Sequence, residues 1–392
     1  MILEEALKSK KLTNCIIFVI AQLSFWYPGL AKVIPGILFR TWNALLMLSV
    51  VFLIGLYLIN KRIPNIVTMM LFILEGWTYL STYINNGEIN IVSLSRKMAI
   101  FLLVDFFSDE FESIVSIIMI VFEIMIYYNL YTCIITGPDL YGAYYGALGY
   151  DNGFTIYLLA AFFWGILYQH ITGNKFRALL LIFAVHATAF YTWIGTGIIA
   201  LLVVDFLIIA YYFIGFRITL LKTYMIYVIA EIAIVLVRVQ TWFSFIIVDL
   251  LHKDITFTGR TAIWDRALKL IPKKLIYGYG VMTQEKEVLL LGDIYSHNGL
   301  VEQVLVGGLG YWILFLLLIF IVSTEVEMCE QNSLVPCMIF IMASFFVAAI
   351  TENTFNYILN LLLSIMFIFP GYLNTVSRQP QNDLERNETD EK

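Results

Sequence analysis

The sequence predicts an all-α integral membrane protein with about twelve transmembrane helices and one large loop between helices 9 and 10. Of its 392 residues, 60% are hydrophobic and only 14% are charged. A soluble domain has about 45–50% apolar and about 25% charged residues. The apolar residues form repeated near-continuous runs, and a bilayer core of about 30 Å needs about 20 such residues per helix.

The apolar runs and the polar stretches between them divide the chain into four parts. Residues 1–237 hold helices 1–9, residues 238–297 form the large loop, and residues 298–373 hold helices 10–12. The polar tail, residues 374–392, has no apolar pattern and is predicted to be disordered. The predicted spans are about 13–34, 41–59, 65–84, 91–107, 113–135, 153–169, 177–193, 196–214, 218–237, 298–322, 334–351 and 355–373.

Lysine and arginine in the short loops predict the orientation. Basic clusters at 8–11, 61–62, 175–177 and 217–222 all fall on one side of twelve alternating spans, although Lys32 and Arg40 fall on the other. The positive-inside rule makes the first side cytoplasmic, with both termini there. The large loop and the Gly- and Tyr-rich residues 137–153 then face outside, where we expect the chemistry, since loops on rigid scaffolds carry function.

The net charge and the cysteines say little about partners. A charge of −5 acts loop by loop in a membrane protein. None of the four cysteines forms a CxxC pair, so the sequence suggests neither a metal site nor a disulfide framework. The large loop has no DxD-like cluster. We expect a reaction without metal or cofactor, and no nucleic-acid partner.

A short amphipathic helix is predicted within TFTGRTAIWDRALKLIPKKLIYGYG, residues 256–280. Thr258 is a suitable N-cap, and Pro272 marks the end. We expect this helix in the membrane interface with Trp264 as an anchor. Arg260 lies in its first turn, where a guanidinium and a helix N-terminus together suit an anion such as a lipid pyrophosphate. The alternative is that Arg260 only reaches lipid headgroups.

His297 stands at the start of the tenth span, in SHNGLVEQVLVGGLGY. A neutral imidazole is the usual general base at neutral pH, and Asp293, four residues earlier, is expected to orient its ring. The alternative is an interfacial histidine that water satisfies. The glycines after it allow close helix packing and are Gly307, Gly308 and Gly310.

Other polar residues have two interpretations each. Carboxylates within spans are expensive in lipid and are functional candidates by default. These carboxylates either relay protons in a transporter or satisfy one another's polar groups in a crevice. They are Glu75, Glu123, Asp205, Glu231 and Glu302. His186 is interpreted as a packed helix residue. External tyrosines either stack on sugar rings or form an interfacial belt; they are Tyr141, Tyr144, Tyr145 and Tyr150.

Two segments carry a resemblance to a known family. His297-Asn298, nine residues, Gly308, two residues and Tyr311 resemble the H[NSQ]-x9-G-x-x-[GTY] pattern of the O-antigen ligase and polysaccharide polymerase superfamily. TGRTAIW (258–264), followed by GYG (278–280), resembles the segment before that pattern. The resemblance covers about residues 256–311, and elsewhere only hydropathy and layout match. Many members carry a Ser-Arg pair where this chain has FYTWIGTG (190–197), so Arg238 is a candidate replacement.

The resemblance implies a function and a division of roles. Family members join a sugar chain carried on undecaprenyl pyrophosphate to an acceptor hydroxyl, at the outer face of the bacterial cytoplasmic membrane. By the same resemblance, Arg260 holds the donor pyrophosphate and His297 acts on the acceptor hydroxyl. The expected partners are that lipid-linked oligosaccharide, membrane lipid, and a chain-length regulator and flippase of the same pathway. We expect further substrate contacts from Arg238, Arg266, Trp264, Asn298, Tyr145 and Tyr150.

The expected function is therefore polymerisation of oligosaccharide repeat units for a capsular, exo- or O-antigen polysaccharide. Transfer is expected to be inverting. A ligase that moves finished glycan to another acceptor shares these loop motifs. A flippase of lipid-linked sugars is the alternative from another class, and it should distribute basic residues across both halves of the chain.

Overall fold

The computed structural model describes residues 9–26, 36–243, 245, 256, 259–329 and 331–390, which are almost entirely helical. A helix stands at each of the twelve predicted spans. Seven are long and apolar enough to cross a membrane, and the apolar helix Leu334–Ala349 is shorter. The fold is therefore that of an all-α, multi-pass membrane protein. The remaining helices are shorter or more polar, so the count of twelve spans stays a prediction.

The helices are numbered here in chain order. Within the described residues, nine α-helices precede the large loop: α1 (Lys10–Phe25), α2 (Gly36–Ile59), α3 (Ile66–Ile84), α4 (Ile91–Phe106), α5 (Phe111–Thr136), α6 (Phe154–Thr172), α7 (Lys175–Tyr191), α8 (Gly195–Ile214) and α9 (Leu220–Glu231). Helix α9 continues as a π-helix over Ile232–Val237. The loop contains α10 (Arg260–Leu270) and α11 (Gln284–Leu291). After it come α12 (Gly299–Glu327), α13 (Leu334–Ala349) and α14 (Tyr357–Asp390).

Short polar residues fix where several helices begin. The side chains of Asn65, Asn90 and Asn174 each accept a backbone N–H three residues on, at the starts of α3, α4 and α7. Such caps satisfy amide donors that have no partner within the helix. Gly173 and Gly215, both at positive φ, end α6 and α8. The turns in this polytopic chain are therefore locally encoded.

Ionisable side chains inside the bundle pair with one another across helices. Lys97 Nζ lies 2.6 Å from Glu75 Oε2, joining α3 to α4. Arg177 Nε donates to Glu123 Oε1 at 2.7 Å. His186 Nε2 lies 2.9 Å from Asp205 Oδ2, so His186 is more than a packed helix residue. The pairs have the arrangement expected where polar groups in a bundle satisfy one another rather than meet lipid.

Helix α12 is broken near its start. Gly308 has φ +64° and ψ −168°, which interrupts the helix. Residues 275–280 of the large loop lie in the break. The N–H groups of Tyr279 and Gly280 donate to the carbonyls of Leu305 and Val306, at 2.8 and 2.9 Å. Leu309 and Gly310 N–H donate back to residues 275 and 276. Backbone groups freed by the break are thus satisfied by protein, as they must be at membrane depth.

The large loop and the turns that contact it lie at one end of the bundle, and we call this end the loop end. Asn85 Nδ2 donates to the carbonyl of Gly278 at 3.0 Å, tying the α3–α4 turn to the large loop. Thr196 Oγ1 lies 3.1 Å from Thr351 Oγ1, which brings the α7–α8 turn to the α13–α14 turn. A two-stranded hairpin pairs β1 (Tyr145–Gly146) with β2 (Gly149–Tyr150) between α5 and α6.

Two sequence expectations differ from the structure. Helix α14 continues through most of the tail for which disorder was expected, as far as Asp390. The apolar face of helix α10, which was expected to meet the membrane interface, packs on protein. Ile263, Trp264 and Ala267 belong to a buried cluster with residues of α11, α12 and the GYG segment. The expected cap Thr258 lies outside the described residues, and Gly259 occupies the position before α10.

Candidate active site

A buried carboxylate in the α13–α14 turn is the centre of the candidate site. The side chain of Glu352 is only 7% exposed. Its Oε1 accepts a hydrogen bond from Arg260 Nη2 at 2.7 Å, and its Oε2 accepts one from the Tyr295 hydroxyl at 3.3 Å. His297 Nδ1 lies 3.8 Å from the same Oε2. One carboxylate therefore brings together Arg260 and His297, which lie 37 positions apart in the chain.

Arg260 is the first residue of α10, after Gly259 in the left-handed conformation (φ +84°). Its side chain is 18% exposed and ion-paired with Glu352. A guanidinium has five N–H donors in a planar fork. The Glu352 contact uses Nη2, which leaves donors directed elsewhere. A charged fork at a helix N-terminus, held by a buried carboxylate, suits an anion with several oxygens.

His297 lies in the turn before α12 rather than in the helix. Its backbone has φ +50°, a left-handed conformation that costs energy in a residue other than glycine. Nε2 lies 3.6 Å from Asp293 Oδ2, and the ring packs on that of Tyr295 with centroids 3.9 Å apart. Within the described residues, the buried Nδ1 has no hydrogen-bond partner. Asp293 thus approaches the ring as expected, through a turn instead of a helix.

Asn298 fixes this turn and is buried. It is fully buried, and its Oδ1 accepts from Val301 N–H at 2.9 Å as the N-cap of α12. Its Nδ2 donates to Glu231 Oε2 at 2.7 Å and to the carbonyl of Ile350 at 3.0 Å. The polar groups of Asn298 already bind protein, and its role as a substrate contact stays a prediction. Its bonds join α9, α12 and the turn that carries Glu352.

Trp264 is also structural. It is fully buried, and its indole N–H donates to the carbonyl of Ser296 at 3.0 Å, one residue before His297. In the structure α10 turns its apolar face to α11 and α12, so Trp264 packs on protein, and its roles as an interfacial anchor and a substrate contact stay predictions. The indole ties the helix of Arg260 to the turn of His297.

The two further arginines bind within the loop. Arg238, at positive φ after the π-helix, contacts Asp265 Oδ1 at 2.5 Å and the carbonyl of Thr261 at 3.3 Å, and its guanidinium lies over the Trp264 ring. Arg266 Nη1 donates to the carbonyl of Leu291 at 2.8 Å, at the end of α11. Both therefore brace α10, and neither makes the Glu352 contact that distinguishes Arg260.

The hairpin tyrosines lie at the same end of the bundle as Glu352. Tyr145 and Tyr150 form a cross-strand pair with ring centroids 5.1 Å apart, and both are about half exposed. Burial raises the pKa of Tyr150, and the negative charges of Asp151 and Glu352 add to the shift. The substrate role of both tyrosines remains a prediction.

The region without the expected arginine also adjoins the site. Thr196, in FYTWIGTG, contacts Thr351, the residue before Glu352. Trp193 in the same segment has φ +53°. An arginine at this place in the chain would lie near the carboxylate that Arg260 now pairs with.

Sequence reasoning missed Glu352 and Tyr295. Glu352 stands alone in the short stretch ITENTF between two apolar spans, which resembles a solvated turn. The useful signal for Tyr295 was its position two residues before His297. Burial and the charge of Glu352 raise the pKa of Tyr295, which keeps its phenol protonated as a donor to that carboxylate.

These groups suit one class of chemistry. A guanidinium stabilises the negative charge that develops on a leaving phosphate oxygen. An imidazole within hydrogen-bond reach of an attacking hydroxyl can accept the proton of that hydroxyl. The carboxylate holds the two at a fixed separation. No protein family model and no curated protein matches this chain in the comparisons made with them.

Proposed function

We propose that the chain is a membrane-embedded polymerase of oligosaccharide repeat units carried on undecaprenyl pyrophosphate. The product is a capsular, exo- or O-antigen polysaccharide. The observation that carries the proposal is the meeting of Arg260 and His297 on the two oxygens of Glu352. Arg260 and His297, which lie in the two segments that resemble the family, are both next to this one carboxylate at the loop end.

The proposed transfer is a single displacement at the anomeric carbon of the donor sugar. The acceptor hydroxyl oxygen forms the new glycosidic bond as the bond to the pyrophosphate oxygen breaks, which inverts the configuration. Undecaprenyl pyrophosphate leaves with the bonding electron pair, and Arg260 stabilises its charge. The hydroxyl proton passes to His297. No metal or cofactor takes part in this proposal.

Glu352 is the positioning residue in this scheme. Its bond from Arg260 fixes the guanidinium, and its Oε2 faces the imidazole. A negative charge beside the ring stabilises the imidazolium that forms when His297 accepts a proton. Tyr295 supports both partners, since it donates to Glu352 and stacks on His297.

The proposal includes a location in the bacterial cytoplasmic membrane with the loop end outside. Of the basic residues in short turns, Lys61, Arg62, Lys175 and Arg217 lie at the opposite end of their helices from the Glu352 turn, if the twelve helices alternate in direction. That distribution favours the opposite end as cytoplasmic. Lipid-linked substrate and membrane lipid are the immediate partners, with a chain-length regulator and flippase of the same pathway.

The polymerase has two alternatives, a ligase and a flippase. A ligase uses the same site and differs in its acceptor. A flippase is the alternative from another class, and paired charges inside the bundle, such as Glu75 with Lys97, are what favours it. Against it, the cations of the candidate site lie in one loop.

The variant His297→Ala separates these alternatives. A general base contributes about 10²–10⁴-fold in rate, so chain growth should nearly stop while the protein stays folded in the membrane. Intact spheroplasts are treated with a glycosidase, and the extracted lipid-linked glycans are analysed by mass spectrometry. In a polymerase, single repeat units accumulate on the outer leaflet and are digested.

Protected single units would contradict the enzyme and support a flippase. Normal long polymer would remove His297 from the site. Accumulation of finished long chains on lipid, with their transfer lost, would support the ligase.

A further inference from the structure

A polar cavity lies beside the candidate site, inside the helix bundle. Its volume is about 210 Å³, and residues of α3, α4, α11, α12 and α14 line it together with the turn after Glu352. A polar space of this size holds several waters or a small polar ligand. Asn353, the neighbour of Glu352 in the chain, is one of its lining residues. The cavity therefore adjoins the candidate site at the turn that carries Glu352 and Asn353.

The strongest indication of a ligand is Gln303 on α12. Its side chain lines the cavity, and the residue is only 5% exposed. Among the described residues, neither its amide oxygen nor its amide nitrogen has a hydrogen-bond partner. Burial of an amide without a partner is unfavourable, and buried polar groups are usually satisfied. An amide kept in this state is suited to a ligand with both donors and acceptors.

Three asparagines extend this surface: Asn353, Asn356 and Asn360. The aromatic rings of Phe355 and Tyr357 line the same space. A few convergent polar groups among aromatic walls are typical of a small-molecule site. Amides and rings in this mixture match a sugar, which has hydroxyls at its edge and apolar C–H faces.

The charges of the cavity define which sugars fit. Among the described residues, the cation that lines it is Lys97, which is already paired with Glu75 at 2.6 Å. The other ionisable lining carboxyls are Glu287 and Glu302, and Glu302 Oε2 accepts the N–H of Ser296 at 3.1 Å. Arg96 lies over the ring of Tyr357, its guanidinium carbon 5.8 Å from the centroid. An acidic sugar would therefore meet carboxyls and no unpaired lining cation.

We propose that this cavity binds one uncharged sugar residue of the glycan and excludes uronic and other acidic sugars. The proposal rests on the proposed function, since it adds a subsite to the same centre. Glu302 lines the cavity and accepts the N–H of Ser296, the residue before His297. Asn353 also lines the cavity and directly follows Glu352 in the chain. The bound sugar would lie next to the bond that forms, while pyrophosphate stays at Arg260.

The test measures binding without catalysis. Protein purified in detergent is mixed with the methyl glycoside of N-acetylglucosamine or of glucuronic acid, and saturation-transfer NMR reports contact. The neutral probe should bind and the acidic probe should not. Gln303→Leu should weaken the neutral probe about tenfold, the equivalent of about 1.4 kcal/mol for a lost hydrogen bond. Gln169→Leu, on α6 and outside this cavity, is the matched control and should bind normally.

Equal binding to Gln303→Leu and wild type, preference for the acidic probe, or no binding of the neutral probe would overturn the proposal. Thermal unfolding of each variant checks folding, and Asn360→Leu provides a second variant if Gln303→Leu is unstable. Failure here is distinguishable from failure of the polymerase proposal, because His297→Ala tests chain growth and leaves the cavity unchanged.

Discussion

Gly278 and Gly308 lie backbone to backbone, each at positive φ. A Cβ atom on Gly278 would be 2.7 Å from the nitrogen of Gly308, and a Cβ on Gly308 would be 2.7 Å from the nitrogen of Gly278. Gly278 belongs to the GYG segment and Gly308 to the pattern that begins at His297. The two sequence segments are therefore halves of one contact, which holds the large loop in the break of α12.

Replacing either glycine should disrupt this contact. In Gly308→Ala, the alanine would have to adopt a positive φ, which costs about 1–3 kcal/mol. Its Cβ would also clash with the opposing backbone, which cannot move aside as a flexible side chain could. We expect a lower temperature of unfolding and loss of polymer in both Gly278→Ala and Gly308→Ala. Thermal unfolding in detergent measures the first effect.

The control is Gly55→Ala in the C-terminal part of α2, where a Cβ meets nothing within 4 Å. This variant should unfold at or above the wild-type temperature, since alanine favours a helix by about 1 kcal/mol over glycine. An unchanged unfolding temperature in Gly308→Ala would mean that the break is not required.

The sequence predicted the helices and singled out Arg260 and His297, and it missed Glu352, the carboxylate that lies between them. Apolar runs place spans because every residue of a run contributes to the pattern. Arg260 and His297 stood out because each begins a helical segment. Glu352 did not, because a carboxylate in a short turn is ordinary until another segment buries it. The broken α12 was also hidden, since glycines in an apolar run predict packing and breakage equally well.

Arg260→Lys should lose most activity although the positive charge is kept. Lysine still reaches Glu352 with one donor, but it lacks the planar fork that binds two phosphate oxygens. Loss of one donor to a developing oxyanion typically costs about 10²–10³-fold in rate. Polymer length and amount in cells, compared at equal protein level, measure the effect.

Arg266→Lys on the same helix is the matched control. Arg266 binds the carbonyl of Leu291 rather than Glu352, so its replacement should be milder. Similar near-normal polymer from both variants would reduce Arg260 to a headgroup contact.

Breaking the Arg260–Glu352 pair should destabilise the fold unless both partners are changed. The side chains are 18% and 7% exposed, and removal of one partner from a buried pair costs about 3–5 kcal/mol. Glu352→Gln and Arg260→Gln should each lower the unfolding temperature, and the double variant should recover part of the loss. The exposed pair Arg62–Asp109 is the control, because such pairs contribute about 0–1 kcal/mol. Strict additivity at Arg260 and Glu352 would show that they do not interact.

The loop end should be accessible from outside the cell. Glu285 is exposed on α11, so Glu285→Cys should react with a membrane-impermeant maleimide on intact cells. Lys61→Cys, exposed in the α2–α3 turn, should react only after permeabilisation. Cys15 is the exposed native cysteine among the described residues and is replaced by serine in both variants. The opposite labelling pattern would reverse the topology and contradict an external site.

Glu287 should make both stability and sugar binding decrease as pH rises toward about 8. Burial, with a smaller contribution from the charge of Glu302, raises the pKa of Glu287 from 4.5 to about 8. The folded protein thus holds a proton that the unfolded chain loses near pH 4.5. The stabilisation from this proton is complete below that pH and is lost as pH rises through about 8. The unfolding temperature should therefore fall from about pH 4.5 to about pH 8 and level off above that. The binding of the neutral glycoside should fall as pH rises through about 8.

Glu287→Gln removes this titration, so both measurements should become flatter over the same range. The neighbouring charges Glu75 and Lys97 form their own pair in the cavity wall and are unchanged in this variant. Glu285→Gln, an exposed carboxylate on the same helix, is the control and should retain the wild-type pH dependence. If Glu287→Gln kept the wild-type slope, the titrating group would lie elsewhere, and Glu287 would not be a protonated donor in the cavity.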